Sequence, residues 1–401
     1  MEILMGPAPR KKVKILTFVS HYLPGYKAGG PLRTLANMVN NLDDSFEFWI
    51  ITQDRDQDES IAYDSVFINQ WQKVSKAHVY YISPEFSTIR GIAKIVRSTE
   101  HDLIYLNSFF DPIFTLKPLL GLKFLCSNYK PVVLAPRGEF SEGALRIKSL
   151  KKNTYLKLIP WLYKGINFQA SSEYEKTDTL RALPWVQEKD IYVAIDLAEK
   201  PTAKFPVVTA LNNSASSSIR LIFLSRICKM KNLDYALSVL SKVTSQICLD
   251  IYGPQEEPDY WSECEVLIRD LPANIQVNYC GNVMPEHVKP TFAAYDLFFF
   301  PTKGENYGHV IAESISVGTP VLLSDQTPWR DLENEGLGWD YPLDDPLQFA
   351  RAIERFASIP VEERKLRRDL VYKKAVEKLS DQSAIESNKQ LFLSVLKNGK
   401  P

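Results

Sequence analysis

Two carboxylates, Glu305 and Glu313, stand eight residues apart on either side of Gly308, in the run FFFPTKGENYGHVIAESISVGTPVLLSD from Phe298 to Asp325. A carboxylate accepts hydrogen bonds from hydroxyls and opposes positive charge. Either glutamate alone would pass for a solvated side chain. A second pair, Arg226 and Lys231, is five residues apart in SRICKMKNLD, which begins at Ser225. Arginine offers a bidentate fork and lysine a point charge, and both suit a diphosphate. A third pair, Arg137 and Glu139, lies in Pro136-Arg-Gly-Glu-Phe140 at the end of an apolar run, as a ligand-lining loop would. Gly29 and Gly30 occupy a Gly-rich stretch where a backbone can approach a ligand closely.

These residues need elements to hold them. Phe298, Phe299 and Phe300 end a run suited to a buried strand, and Pro301 stops it. Gly308 opens a helix whose apolar face carries Val310, Ile311 and Ile315. Gly318 closes that helix and Pro320 bars its continuation, so Val321–Leu323 reads as the next strand. A strand-loop-helix-strand unit with parallel strands puts its loop and helix start at the carboxyl edge of the sheet, where ligands of open α/β sheets bind. Unpaired N–H groups and the positive dipole end suit phosphate there. Val13–Ser20, Phe46–Thr52, Val79–Ile82, Leu103–Leu106 and Pro131–Ala135 are further strands between helical stretches. This alternation predicts parallel α/β sheets. No GxGxxG fingerprint is present.

Buried strand, Gly-Glu, aromatic-Gly, a second Glu, then Gly-x-Pro and a Val-rich strand together resemble the E-x7-E signature of retaining GT-B glycosyltransferases, in particular glycosyltransferase family 4. The Arg226/Lys231 segment is similar in spacing to the family's G-R-x4-K-G, with Ser225 and Asn232 where glycines are usual. Gly29-Gly30 matches the pair that faces the donor diphosphate in the first βα loop. The Arg137 segment is similar to the PRG loops of polysaccharide-building members. Phe168–Glu175 resembles the strand, Ser and Glu segment that ends the N-terminal sheet. Asn107 and Ser108 stand where a histidine is often found.

The resemblance implies an α/β fold of GT-B type, two doubly wound parallel-sheet (Rossmann-like) domains facing across a cleft. Residues 1–200 would be the acceptor side and 219–382 the nucleotide-sugar domain, with 383–401 a helix packing back on the first domain. Residues 201–218 form the linker by composition, being rich in Ser, Asn, Thr and Pro. The resemblance further implies Glu305, Arg226 and Lys231 as catalytic residues. Donor contacts would come from Gly29, Gly30, Arg226, Lys231, Gly253, Val283, Glu305, Asn306, Tyr307, Gly308 and Glu313, and Arg137 and Glu139 would lie on the acceptor side. It implies a hexosyl transfer from a nucleotide-diphosphate sugar, with no cofactor and no metal, to a saccharide or lipid-linked acceptor in surface polysaccharide biosynthesis. Two rival readings fit the same residues: a sugar-nucleotide-binding partner without activity, and a GT-B sugar-nucleotide epimerase.

Composition sets outer bounds. Lys+Arg and Asp+Glu both count 48, which argues against a dedicated nucleic-acid binder. The five cysteines form no CxxC pair, so neither a zinc site nor a disulfide framework is expected and a reducing cytoplasm is the default. No apolar run approaches the ~18 residues of a membrane span, and Ile15–Val19 is too short for a signal segment. Asp54–Asp58 lacks the spacing of a calcium loop and is expected to be a solvated loop. Ala144–Gly165 has six cations, no acidic residue and interleaved aromatics, a pattern that can lie on an anionic membrane as a peripheral contact or cover an ordinary surface.

Overall fold

The computed structural model describes residues 12–127, 129–146, 149–199 and 218–398, so all but the last residue of the expected linker lies outside the described residues. The chain divides into two compact units. The first comprises Met1–Glu199 with Gln382–Pro401, and the second Lys200–Asp381.

The first unit holds strands β1 (Val13–Phe18), β2 (Phe46–Gln53), β3 (Trp71–Val74), β4 (Ala77–Ile82), β5 (Leu103–Asn107), β6 (Val132–Ala135), β7 (Asn167–Ala170) and β8 (Ile191–Val193). Their order is β3-β4-β2-β1-β5-β6-β7-β8. Every pairing is parallel except β3 with β4, an antiparallel edge hairpin turned at Ser75, whose φ is +54°. A purely parallel sheet was the expectation, and β3 and β8 were not foreseen. Both are short: β3 carries Gln72 and Lys73 among its four residues, and β8 is only three residues long, Ile191-Tyr-Val193. The middle strands are buried on both faces, as helices on either side require. Leu35, Met38 and Val39 of the helix Gly30–Asn41 cover one face; Ile92, Val96, Leu119 and Leu122 help cover the other.

The helix Gln382–Asn398 belongs to this unit although it follows the second in sequence. The Phe392 ring packs against Phe46, Phe48 and Tyr105, and burying one such side chain contributes about 1.5–3 kcal/mol. Asn388 Nδ2 donates to the carbonyl of Ile195 at 2.8 Å, and Lys389 pairs with Asp43 at 2.6 Å.

The second unit holds β9 (Ile219–Leu224), β10 (Ile247–Tyr252), β11 (Ile275–Gly281), β12 (Leu297–Phe300), β13 (Val321–Ser324) and β14 (Gly338–Tyr341). The order is β11-β10-β9-β12-β13-β14, parallel throughout. The four residues of β12 are fully buried, and Phe300 meets Phe223 edge-on at 5.8 Å between centroids. β14 was not foreseen because it opens on a glycine. That glycine is required, since a Cβ on Gly338 would fall 1.9 Å from the carbonyl oxygen of Val321.

Each sheet has one point where the strand order reverses. From β1 the chain builds outward through β2, then returns to β5 on the other side; from β9 it builds through β10 and β11, then returns to β12. The loops leaving the two strands at such a point diverge, and the crevice between them is where open α/β sheets take ligands. Among the described residues no helix is long and apolar enough to cross a membrane.

Candidate functional site

The reversal point of the second sheet gathers the strongest sequence candidates. The loop after β9 carries Arg226 and Lys231, and the loop after β12 carries Glu305, Asn306, Tyr307 and Gly308. Lys231 Nζ donates to Glu305 Oε1 at 2.5 Å, and the two side chains are only 12% and 15% exposed. The same ammonium lies 5.7 Å from the ring centroid of Phe300.

The two loops are also joined through their backbones. Lys303 N donates to Met230 O at 2.9 Å, and Thr302 Oγ1 donates to the same carbonyl at 3.1 Å. Asn232 adopts φ +64° and ψ +40°, and its Nδ2 donates to Pro301 O at 2.9 Å. Asparagine tolerates this left-handed conformation better than other side chains. It therefore meets the conformational need a glycine would meet at this position and adds a tie to β12. Ser225, the other departure from the family pattern, has no positive φ and demands no glycine. The glycine that matters sits opposite. A Cβ on Gly253 would fall 1.8 Å from Ser225 O, and its φ is +130°.

Gly308 begins the helix His309–Ser316 at φ +82°, and Gly318 follows its end at the same φ. Glu313, on this helix, is buried. Tyr307 is set by Trp329, whose ring lies 5.6 Å away edge-on and whose Nε1 donates to Tyr307 O at 2.5 Å. Arg226 pairs with Glu256 in the loop after β10 at 2.6 Å, both side chains being partly exposed. Gly253 O accepts from Tyr279 Oη at 2.9 Å, and Val283 follows β11 half-buried. Glu256 and Trp329 were missed by sequence reasoning. Glu256 lies in a polar run without a motif; Trp329, an aromatic just past β13, was the one available signal. Among the described residues no cluster of three His, Cys, Asp or Glu side chains is placed to hold a metal.

In the first unit, Gly29 caps the helix Gly30–Asn41 at φ +70°, and a Cβ on either glycine would meet no described atom within 4 Å. Asp54 and Asp56 correct the solvated-loop expectation, for both are buried. Asp56 accepts from the backbone N–H of Tyr26 at 2.9 Å and Gln57 at 2.8 Å, and so shapes the approach to Gly29. Arg55 pairs with Asp54 at 2.8 Å. Ser20 Oγ, after β1, donates to Asp111, after β5, which ties the two loops of this sheet's reversal point as Lys231 and Glu305 tie the other.

Arg137 and Glu139 turn into the protein. Arg137, at φ +58°, donates to Asp196 at 2.5 Å, to Tyr105 Oη at 2.6 Å and to Asn107 Oδ1 at 2.7 Å. Glu139 accepts from Ser108 Oγ at 2.7 Å and from the N–H groups of Phe109 and Phe110 at 2.5 and 3.2 Å. Burial raises its pKa, and these hydrogen bonds oppose the rise. Glu175 fastens the same loop by accepting from Gly138 N at 2.5 Å and Ser171 N at 2.7 Å. Ser108 sits at φ +93°, a conformation a non-glycine residue holds only under tight constraint.

Residues 210–375 match the family model described as glycosyl transferases group 1, so the second unit carries a group 1 glycosyltransferase domain. No curated protein sequence is matched by the chain. Among solved structures, Anabaena HepE in complex with UDP and glucose is 16% identical, with 96% of this chain and 100% of that one covered and a TM-score of 0.65. A sucrose-phosphate synthase from Thermosynechococcus elongatus is 16% identical, covering 97% and 100%, with a TM-score of 0.69. A glycosyltransferase from Rickettsia africae is 16% identical, covering 97% and 100%, with a TM-score of 0.66. These likenesses define the fold: the two parallel-sheet units are those of GT-B glycosyltransferases.

Proposed function

We propose that this chain is a retaining glycosyltransferase of the family 4 type. It moves a hexose from a nucleotide-diphosphate sugar to a saccharide or lipid-linked acceptor, without a metal, in surface polysaccharide assembly. It works in the cytoplasm, with a peripheral contact to a membrane. The observation that carries this reading is the pair Lys231–Glu305, at the reversal point of a group 1 glycosyltransferase domain beside the helix that Gly308 opens.

The chemistry follows from charge. When the bond between the sugar and the diphosphate breaks, negative charge grows on the leaving phosphate oxygen and positive charge on the anomeric carbon. Preorganised groups aimed at developing charge supply the largest catalytic contribution in most enzymes. Lys231 and Arg226 meet the phosphate charge, and the N–H groups at the start of the helix His309–Ser316 add their dipoles. Glu305 holds sugar hydroxyls and faces the cationic centre. Glu313, buried in that helix, takes the ribose hydroxyls. Arg137 and Glu139 serve the acceptor side by holding the shape of their loop, since their own side chains are turned inward.

The Anabaena complexes contain UDP and UDP-glucose, so UDP-sugars are the first donors to try. The protein is incubated with UDP-sugars and a mixture of saccharide and lipid-linked acceptors, and UDP release and the product's anomeric configuration are read. Acceptor-dependent release with retention supports the reading. Donor binding with no turnover would replace it with a binding partner, and change of the donor sugar without acceptor would replace it with an epimerase.

A further inference from the structure

The basic segment Ala144–Gly165 does not present its aromatics as a continuous face. Tyr163 is buried and stacks on Phe109 at 4.3 Å, and Tyr155 Oη bonds to Tyr163 Oη at 2.7 Å. Lys152 is also occupied, donating to Ala144 O at 2.7 Å. What the segment leaves outside is its end. Leu158, the last residue of the helix Ser149–Leu158, is 68% exposed, and Trp161 in the turn Pro160–Leu162 is 44% exposed.

A second segment completes a patch there. Phe124, near the end of the helix Lys117–Leu125, is 67% exposed, and its ring lies 6.0 Å from that of Trp161. Lys123 Nζ donates to Trp161 O at 3.2 Å and stands 5.4 Å from its ring centroid. Lys157 and Lys164 bracket Leu158 and Trp161 in sequence and are exposed. Neither contributing stretch holds an acid: residues 112–138 and 143–172 contain no Asp or Glu. Single exposed apolar side chains are ordinary, but two exposed rings in contact, with an exposed leucine three residues before one of them, mark an interaction surface. They stand on two helix ends and a tight turn. Indole and phenyl rings with lysines beside them match the boundary between lipid headgroups and acyl chains, where rings insert and ammonium groups stay with anionic phosphates.

We propose that Phe124, Leu158 and Trp161, together with Lys123, Lys157 and Lys164, are the surface by which the first unit docks on an anionic phospholipid bilayer. This deepens the membrane contact proposed above and rests on that part of the reading. It does not involve the donor site, so the two can fail separately.

The test is co-sedimentation of the full chain with vesicles of phosphatidylcholine alone, and of phosphatidylcholine with phosphatidylglycerol. The wild-type chain binds the anionic vesicles, more weakly as salt rises, and leaves the neutral ones in solution. Each lysine near such a surface is worth roughly fivefold in affinity, so replacing all three by Gln weakens binding about a hundredfold. A second variant, Phe124→Ser with Leu158→Ser and Trp161→Ser, loses at least tenfold while keeping all three lysines. Both variants keep the wild-type far-UV spectrum and UDP affinity, which separates loss of docking from loss of fold or donor site. The proposal is overturned if wild type ignores anionic vesicles, if it binds neutral vesicles equally well, or if either variant binds like wild type. It is also overturned if the patch instead drives self-association that the apolar variant abolishes while vesicles are ignored.

Discussion

Lys231 and Glu305, 74 residues apart in sequence, neutralise each other across the reversal point of the second sheet, with 2.5 Å between Nζ and Oε1. The pair can close only because β9 and β12 are neighbours. In the reaction proposed above, a diphosphate arriving at Lys231 would compete with Glu305 for it and free the carboxylate for the sugar, so that donor capture and release of Glu305 would be one event.

Glu305→Gln is expected to act on two parameters in opposite directions. A role assigned from loop position alone would leave donor affinity unchanged. The ion pair says otherwise, because the amide no longer competes for Lys231. Turnover falls roughly ten- to a hundredfold, the cost of a charged hydrogen bond made in the transition state, while UDP binds several-fold more tightly. Steady-state kinetics with calorimetric titration of UDP checks both signs. Unchanged turnover would remove Glu305 from the reaction.

Glu313→Gln is expected to show the other pattern. The ribose keeps its charge through the reaction, so a contact to it binds ground state and transition state alike. Donor Kd rises about tenfold to a hundredfold with a smaller change in kcat. A fall in kcat at constant Kd would move Glu313 to the reacting centre.

Asn232 separates backbone conformation from hydrogen bonding. Asn232→Gly keeps the left-handed conformation and loses the bond to Pro301 O, at about 1 kcal/mol of stability. Asn232→Ala loses the bond and also strains the backbone, at about 2–3 kcal/mol in all. Urea denaturation of both variants checks the order. Equal losses would mean the conformation is not constrained.

Transfer is expected to survive EDTA, since two cations and a helix terminus meet the diphosphate charge in this account. Activity in EDTA-treated enzyme, with and without added manganese or magnesium, checks this. Full dependence on either ion would place the charge stabilisation elsewhere.

Much of the second unit was legible because its signals are local. Three phenylalanines mark β12, Gly308 and Gly318 bracket the helix, and Pro320 precedes β13. The partners of those residues were not legible. That Glu256 meets Arg226 and Trp329 sets Tyr307 depends on loops brought together by strand order, which no spacing encodes. In the first unit, Arg137 looked like a ligand-facing cation until Asp196, 59 residues on, was found to hold it inside. Asp54 and Asp56 looked solvated because an acidic run usually is; the backbone N–H of Tyr26 that donates to Asp56 lies in another loop, and Asp54 is paired with its neighbour Arg55. Of the short edge strands, β3 carries too little apolar pattern to stand out, with Gln72 and Lys73 among its four residues, and β8 is apolar but only three residues long.

The most direct test of the donor site is titration of UDP, GDP and ADP into wild type and Lys231→Gln. The wild-type protein binds at least one of them. The variant, which removes the cation and leaves Glu305 facing the phosphate, binds that nucleotide about ten- to a hundredfold more weakly with an unchanged fold. A wild-type protein that binds none of the three, or a variant with wild-type affinity, would contradict the placement of the donor diphosphate between β9 and β12.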